Sequence, residues 1–107
     1  MNEERMDKAL LKELLNINKI IHEPARLLIM TYLNHFKEAD YIFLIRQTSL
    51  TPGNFSSHVR KLEDTGYISI KKEFLDRKPH STIQITKEGQ EAFRSHVSKM
   101  KDFYNSL

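Results

Sequence analysis

Residues 51–66 read TPGNFSSHVRKLEDTG, and what this stretch builds decides the rest. Thr51 is placed to cap a helix and Pro52 to occupy its first turn, where a missing N–H costs nothing. Phe55, Val59 and Leu62 then recur at spacings of four and three, which puts them on one buried face. The opposite side displays Asn54, Ser56, Ser57, Arg60 and Lys61, and Gly66 supplies a left-handed stop before Tyr67. The spacing therefore predicts a helix over 52–64 with small polar groups at its tip and cations behind them. Such a helix suits end-on approach to a charged groove.

Working outward, TSLTP (48–52) leaves about four residues for a connection, with Ser49 and Thr51 giving turn chemistry and Leu50 plugging the junction. Tyr41 to about Thr48 reads as a short helix around Ile42, Phe43 and Ile45, preceded by a polar break over Lys37–Asp40. A further helix is expected from Pro24 to about Phe36, with Ala25, Leu28, Ile29, Tyr32, Leu33 and Phe36 in the core. Before it, residues 3 to about 17 carry Met6, Leu10, Leu14 and Ile17 on one stripe, widened by Leu11 and Leu15. A tight corner followed by a helix with a polar outer face is the helix-turn-helix arrangement.

After Gly66 the period changes to two. Ile68 and Ile70, then Ile83 and Ile85, alternate with polar residues as half-buried strands do. The segment between them lacks apolar periodicity, so residues 67–86 are expected to form a hairpin with Asp76, Arg77, Lys78, Pro79 and His80 at its tip. Lys71 and Lys72 point to opposite faces of the strand and cannot both serve one groove. Thr86 is positioned to cap a last helix over about 87–105, apolar at Ala92, Phe93, Val97, Met100, Phe103, Tyr104 and Leu107. Gly89 in its first turn costs roughly 1 kcal/mol of helix propensity against alanine. Met6, Leu10, Leu14, Met100, Phe103, Tyr104 and Leu107 need more cover than one small domain offers, and a two-fold dimer through both terminal helices provides it.

Composition limits the chemistry. The 107 residues suffice for one domain, 1–107, with one modest core, and 39% hydrophobic against 29% charged residues is the balance of a folded chain. With no cysteine there is no disulfide, thiolate ligand or thiol nucleophile. The five histidines form neither HExxH nor HxH, and no glycine-rich phosphate loop, Ser-His-Asp order or carboxylate pair is present. No catalytic residue, cofactor site or metal site is therefore assigned. His58, between Phe55 and Val59, reads as a partly buried group steadying its helix. The acidic, charged start is unlike a signal peptide, no apolar run reaches the roughly 20 residues of a membrane span, and a cytoplasmic location is expected. Net charge is only +3, but residues 46–87 hold eight Lys or Arg against four Asp or Glu, whereas the flanking segments are nearly balanced. The positive excess surrounds the opening stretch.

HEPARLLIMTYL (22–33), SLTPGNFSSHVRKLEDTGYI (49–68) and ITKEGQEAF (85–93), in this order and separation, resemble a winged helix-turn-helix DNA-binding domain of the small MarR-like and ArsR-like transcriptional regulators. The resemblance implies a mainly α fold with a small β-hairpin and terminal helices used for dimerisation. It implies double-stranded DNA as partner and helix 52–64 in the major groove, with Asn54, Ser56, Ser57 and Arg60 nearest the bases and Lys61 nearer phosphate. Pro52 and Gly53 would let the helix tip approach the backbone, while Arg77 and Lys78 of the wing, 73–81, would reach the backbone or minor groove. The expected function is a dimeric repressor on a palindromic operator. A small-molecule effector of unspecified chemistry fits the same family, with room around Tyr32, Phe93 and Val97. The competing expectation is a winged-helix module that binds another protein through its terminal helices without reading DNA.

Overall fold

The computed structural model describes residues 8–107, so Met6 lies outside the described residues. Helix α1 spans Lys8–Leu15, and α2 is a single turn at Lys19–His22. The helix expected to about residue 17 stops at Leu15, and the turn α2, which was not expected, follows the Asn16–Asn18 segment. The Asn18 side chain accepts the Ile21 N–H at 3.1 Å and donates to the Tyr67 hydroxyl at 2.8 Å, so it caps a new helix where it would otherwise continue the old one. Pro24 then opens α3, Pro24–Phe36, with the Glu23 carboxylate accepting the Arg26 N–H at 2.9 Å.

On α3 the core side holds Ile29, Met30 and Leu33, all wholly buried. Leu28 and Phe36, expected in the core, are 47% and 55% exposed, because α5 and α6 pack along the row through Met30 and Leu33. Lys37 turns the chain at φ 72°, and Glu38–Asp40 form a short strand, β1, in place of the expected polar break. Helix α4 spans Tyr41–Thr48, and its buried residue is Leu44, while Ile42 and Phe43 face outward. Asp40 caps α4 by accepting the Phe43 N–H at 2.9 Å, and this cap fixes the rotation of the helix.

Helix α5 runs Pro52–Asp64 after a left-handed Ser49 and a Thr51 cap at 3.2 Å. Phe55, Val59 and Leu62 are buried as the spacing predicts. Strands β2, Ile68–Leu75, and β3, Lys78–Ile85, pair antiparallel, and β1 adds to the other edge of β3. The hairpin lies within the expected residues 67–86, but its strands run further and its turn is tighter than expected. Its tip is the two-residue turn Asp76–Arg77, at φ 51° and 63°, and Lys78, Pro79 and His80 belong to β3. Two successive left-handed residues match the twist of a hairpin. Pro79 is tolerated because β1 pairs only with residues 82–84, which leaves Pro79 on an open edge.

Helix α6, Lys87–Asn105, closes the fold against α1, α2 and α3. The molecule is long, 66 by 26 by 21 Å. Inside it, His96 is buried, its Nε2 lies 3.4 Å from Nδ1 of His22, and its own Nδ1 has no partner among the described residues. Burial first, then His22 and Lys99, hold its pKa below the ordinary 6.5. Burial pulls the Glu23 pKa up, but the N–H groups of Arg26 and Ala25 and the charges of His58 and Arg26 outweigh this and leave it below 4.5.

Both shifts act in one direction. Unfolded His96 takes up a proton near 6.5 and the folded residue resists it, so stability is lost as pH falls below 6.5. The Glu23 contribution is present above 4.5 and is lost at lower pH, as the folded carboxylate protonates. The melting temperature is expected to fall between about pH 7 and 5 in the wild-type chain and to fall less in His96→Leu, as followed by circular dichroism. Parallel curves for the two proteins would remove His96 as the cause.

Candidate nucleic-acid interface

The outer surface of α5 is assembled by its buried one. With Phe55, Val59 and Leu62 held by α3, α4 and β2, the residues at 53, 54, 57, 60 and 61 are turned outward, and all five are exposed. Pro52 is exposed beside them. A Cβ at Gly53 would meet no atom within 4 Å, so nothing inside the protein requires a glycine at this position. The helix tip is bare: Pro52 has no N–H and Thr51 takes those of Asn54 and Phe55, which leaves the Gly53 N–H, among the described residues, open to an approaching anion.

Ser56 sits differently from its neighbours. It is half-buried and lines a groove of about 320 Å³ between α5 and the wing, with Tyr41, Arg60, Glu63, Ile70, Lys72 and Ser81. Arg60 reaches this groove and the outer surface together, while Ser57 faces outward alone. Lys72 on the opposite wall is a cation that the sequence reading left unassigned. Its signal was the alternation with Ile70, which places it on the helix-facing side of β2. Lys71 points the other way and pairs with Glu73 at 3.6 Å. Among the described residues Arg60, Lys61, Lys72, Arg77 and Lys78 form no ion pair, so their charge is directed at solvent.

The inner flank of α5 is fastened at His58. Its Nδ1 lies 3.0 Å from Nη1 of Arg26 and 3.4 Å from the Glu23 carboxylate, while the Arg26 Nε–H donates to the Ile20 carbonyl at 2.6 Å. This polar cluster ties α5 to the start of α3 and to α2. Arg77 and Lys78 are exposed at the far end of the hairpin, with Asp76 between Leu75 and Arg77.

Other expected sites separate. Phe93 is core, and with Val97 it borders a space of about 430 Å³ between α3 and α6 that also touches Asn34, Lys37, Arg94 and Lys101. Tyr32 instead stacks on Phe36 at 4.6 Å, away from that space. Leu10, Leu14 and Phe103 share one narrow space where α1 meets α6. On the described part of α1, on α6 and at the C-terminal residue the apolar area left uncovered lies at Leu11, Leu15, Tyr104 and Leu107, of which Leu15 and Leu107 are each 74% exposed. Among the described residues no group of three or more His, Asp or Glu is placed to hold a metal ion. No helix there is long and apolar enough to cross a membrane.

Helix-turn-helix, basic hairpin and closing helix, with one cationic face shared by α5 and the wing, agree with the family model described as a winged helix DNA-binding domain, which matches residues 25–104. The chain belongs to this winged helix family. A transcriptional regulator homologue from Pyrococcus horikoshii OT3 is 33% identical and superimposes with a TM-score of 0.85 over 92% of this chain and 97% of that one. The uncharacterized protein MJ0432 of Methanocaldococcus jannaschii is 29% identical over 79 residues, covering 74% of this chain and 86% of its own. NadR, solved in complex with 4-hydroxyphenylacetate, is 18% identical with a TM-score of 0.69, over 92% of this chain and 70% of that one, and shares the fold. This winged helix protein is accordingly a DNA-binding transcriptional regulator, and α5 is the second helix of its helix-turn-helix.

Proposed function

We propose that the protein is a homodimeric repressor that places the α5 helices of two copies in successive major grooves, roughly 34 Å apart, and reads a palindromic operator. The observation that carries this reading is the unpaired Arg60 on the open side of α5, flanked by a bare helix tip at Pro52–Gly53 and by exposed Asn54 and Ser57. Arginine at such a position bonds guanine in a bidentate fashion, and short hydroxyl or amide groups beside it reach neighbouring base edges. Ser56 contributes from the rim of the groove. Lys61, Arg77, Lys78 and Lys72 neutralise phosphates, and the wing lies against the backbone or the adjacent minor groove.

Dimerisation supplies specificity that three or four base-facing side chains on one helix lack. Its support is the exposed apolar area of α1 and α6, at Leu11, Leu15, Tyr104 and Leu107, beside the partly covered Leu10, Leu14, Met100 and Phe103. A second copy applied about a two-fold axis buries the same patch on both chains. Seated on a promoter, such a dimer excludes polymerase.

Selection of bound duplexes from a random pool at physiological salt tests the reading. The wild-type chain is expected to recover a two-fold motif, and Arg60→Ala is expected to weaken binding by about 1–3 kcal/mol while relaxing preference at one position of each half-site. Recovery without sequence preference, or an Arg60→Ala variant that selects the same motif, overturns base readout by α5.

A further inference from the structure

The outer end of the wing carries an apolar pair that phosphate binding does not explain. Phe74 is 75% exposed and lies directly opposite Pro79 across the β2–β3 ladder. Both side chains share the sheet face of Ile70, Lys72 and Ser81, which is the face turned toward α5. Leu75, paired with Lys78 on the other face, adds exposed apolar surface at the same level. An open hairpin end is ordinarily kept polar or charged, since exposed apolar strand ends invite association.

The surroundings choose the occupant. Lys72 stands one ladder step inward on the same face, and Arg77 and Lys78 stand at the turn. Asp76 is at the turn too, and Glu73 is occupied by Lys71 at 3.6 Å. An aromatic ring framed by cations is poorly suited to an apolar protein partner, and the patch is far below the roughly 800 Å² per side of a stable protein interface. It is suited to a polyanion that offers apolar base faces within a narrow cleft. The face is also continuous with the α5 surface of a winged helix DNA-binding domain.

We propose that Phe74, backed by Pro79, is a DNA-contacting residue that enters the minor groove beside the major groove held by α5 and wedges against a base step, bending the duplex. Apolar wedges of this kind act at flexible steps and turn the DNA toward the major groove. The wing then contributes in two separable ways: Arg77 and Lys78 neutralise phosphate, and Phe74 reads deformability without charge. The inference rests on the placement of α5 in the major groove.

The test uses the full chain and a duplex recovered by the wild-type protein, with affinity measured across a salt series and bending by energy transfer between end labels. Phe74→Ala is expected to weaken binding about tenfold and to reduce the bend, with the slope of log K against log salt unchanged. Phe74→Leu is expected to fall between the two, and Arg77→Ala to lower the slope by about 1 while keeping the bend. Phe74 is mostly exposed, and unchanged melting of the Phe74 variants separates contact from folding. Binding and bending like wild type in Phe74→Ala overturns the wedge, as does a change confined to the salt slope. Indifference to Phe74 with dependence on Arg60 sinks the wedge alone, whereas indifference to Arg60 sinks the placement of α5 and the wedge with it.

Discussion

Phe55→Ala is expected to lower the free energy of unfolding by about 3–5 kcal/mol, the range for deleting a large buried aromatic side chain. Phe55 has no exposed surface and meets Tyr41 edge-on, with ring centroids 5.0 Å apart. It stands one turn into α5, where the helix crosses α4 and α3, so the void it leaves is walled by three helices that cannot all close on it. In a domain of this size each kcal/mol shifts the melting temperature by roughly 4–8 °C. Denaturant unfolding compares this variant with Ser57→Ala, which removes only an exposed hydroxyl on the other side of the same helix and is expected within about 0.5 kcal/mol of wild type. Equal midpoints for the two would mean that the buried and exposed sides of α5 have been exchanged, and the DNA-facing assignment of Arg60 would fall with them.

That coupling explains why α5 was the most legible part of the chain. Thr51, Pro52, the Phe55-Val59-Leu62 spacing and Gly66 are local signals that agree with one another, and the same holds for the Pro24 start of α3. Legibility failed where the deciding contact comes from far along the chain. The unexpected turn α2 is capped by Asn18, whose side chain is held by a bond to Tyr67, 49 residues away. Strand β1 has only Ala39 buried and exists because residues 38–40 meet 82–84, so no period within three residues announces it. The outer wing projects beyond the helices, and strands with solvent on both faces lose the apolar alternation that marks a strand. The expected tip therefore took in residues 76–80, and Phe74 was given no role.

The sides of α3 and α4 were misread for a related reason. Both helices carry apolar residues around more than half their circumference, so spacing alone cannot tell Met30 and Leu44, which are buried, from Leu28, Ile42 and Phe43, which are exposed. Capping by Asp40 and packing by α5 and α6 make the choice. On α5 the outer positions are polar and leave no such ambiguity. For the interface, the exposed cations of α5 and of the wing tip were readable from type and spacing. The half-burial of Ser56 and the placement of Lys72 required the hairpin to be seen folded against the helix.

Gly89→Ala puts local propensity and tertiary packing in direct opposition, and packing is expected to win. In an open helix the change would stabilise by about 1 kcal/mol. Here a Cβ would sit 2.1 Å from the Tyr67 carbonyl oxygen, 2.9 Å from its carbon and 3.1 Å from Cγ1 of Ile85. The carbonyl cannot swing away freely, because it accepts the Thr86 N–H at 3.0 Å, while the Thr86 hydroxyl donates to the Gly66 carbonyl at 2.7 Å and accepts the Gly89 N–H at 2.9 Å. The start of α6 is thus pinned to the start of the wing, and a methyl group forces the two apart. Overpacking against fixed backbone costs about 3 kcal/mol, so a net destabilisation of about 2 kcal/mol is expected after the propensity gain. Gly66→Ala is an instructive companion: it meets only the flexible Glu88 carboxylate at 3.0 Å, and its cost is mainly that of φ 89°, roughly 1–2 kcal/mol. Because this junction joins the start of α6 to the start of β2, Gly89→Ala is also expected to displace the wing relative to the terminal helices, and DNA affinity is expected to fall even under conditions where the variant is fully folded. A Gly89→Ala protein more stable than wild type would show that α6 does not approach Tyr67 this closely, and the wing would lose the anchor that holds it beside α5.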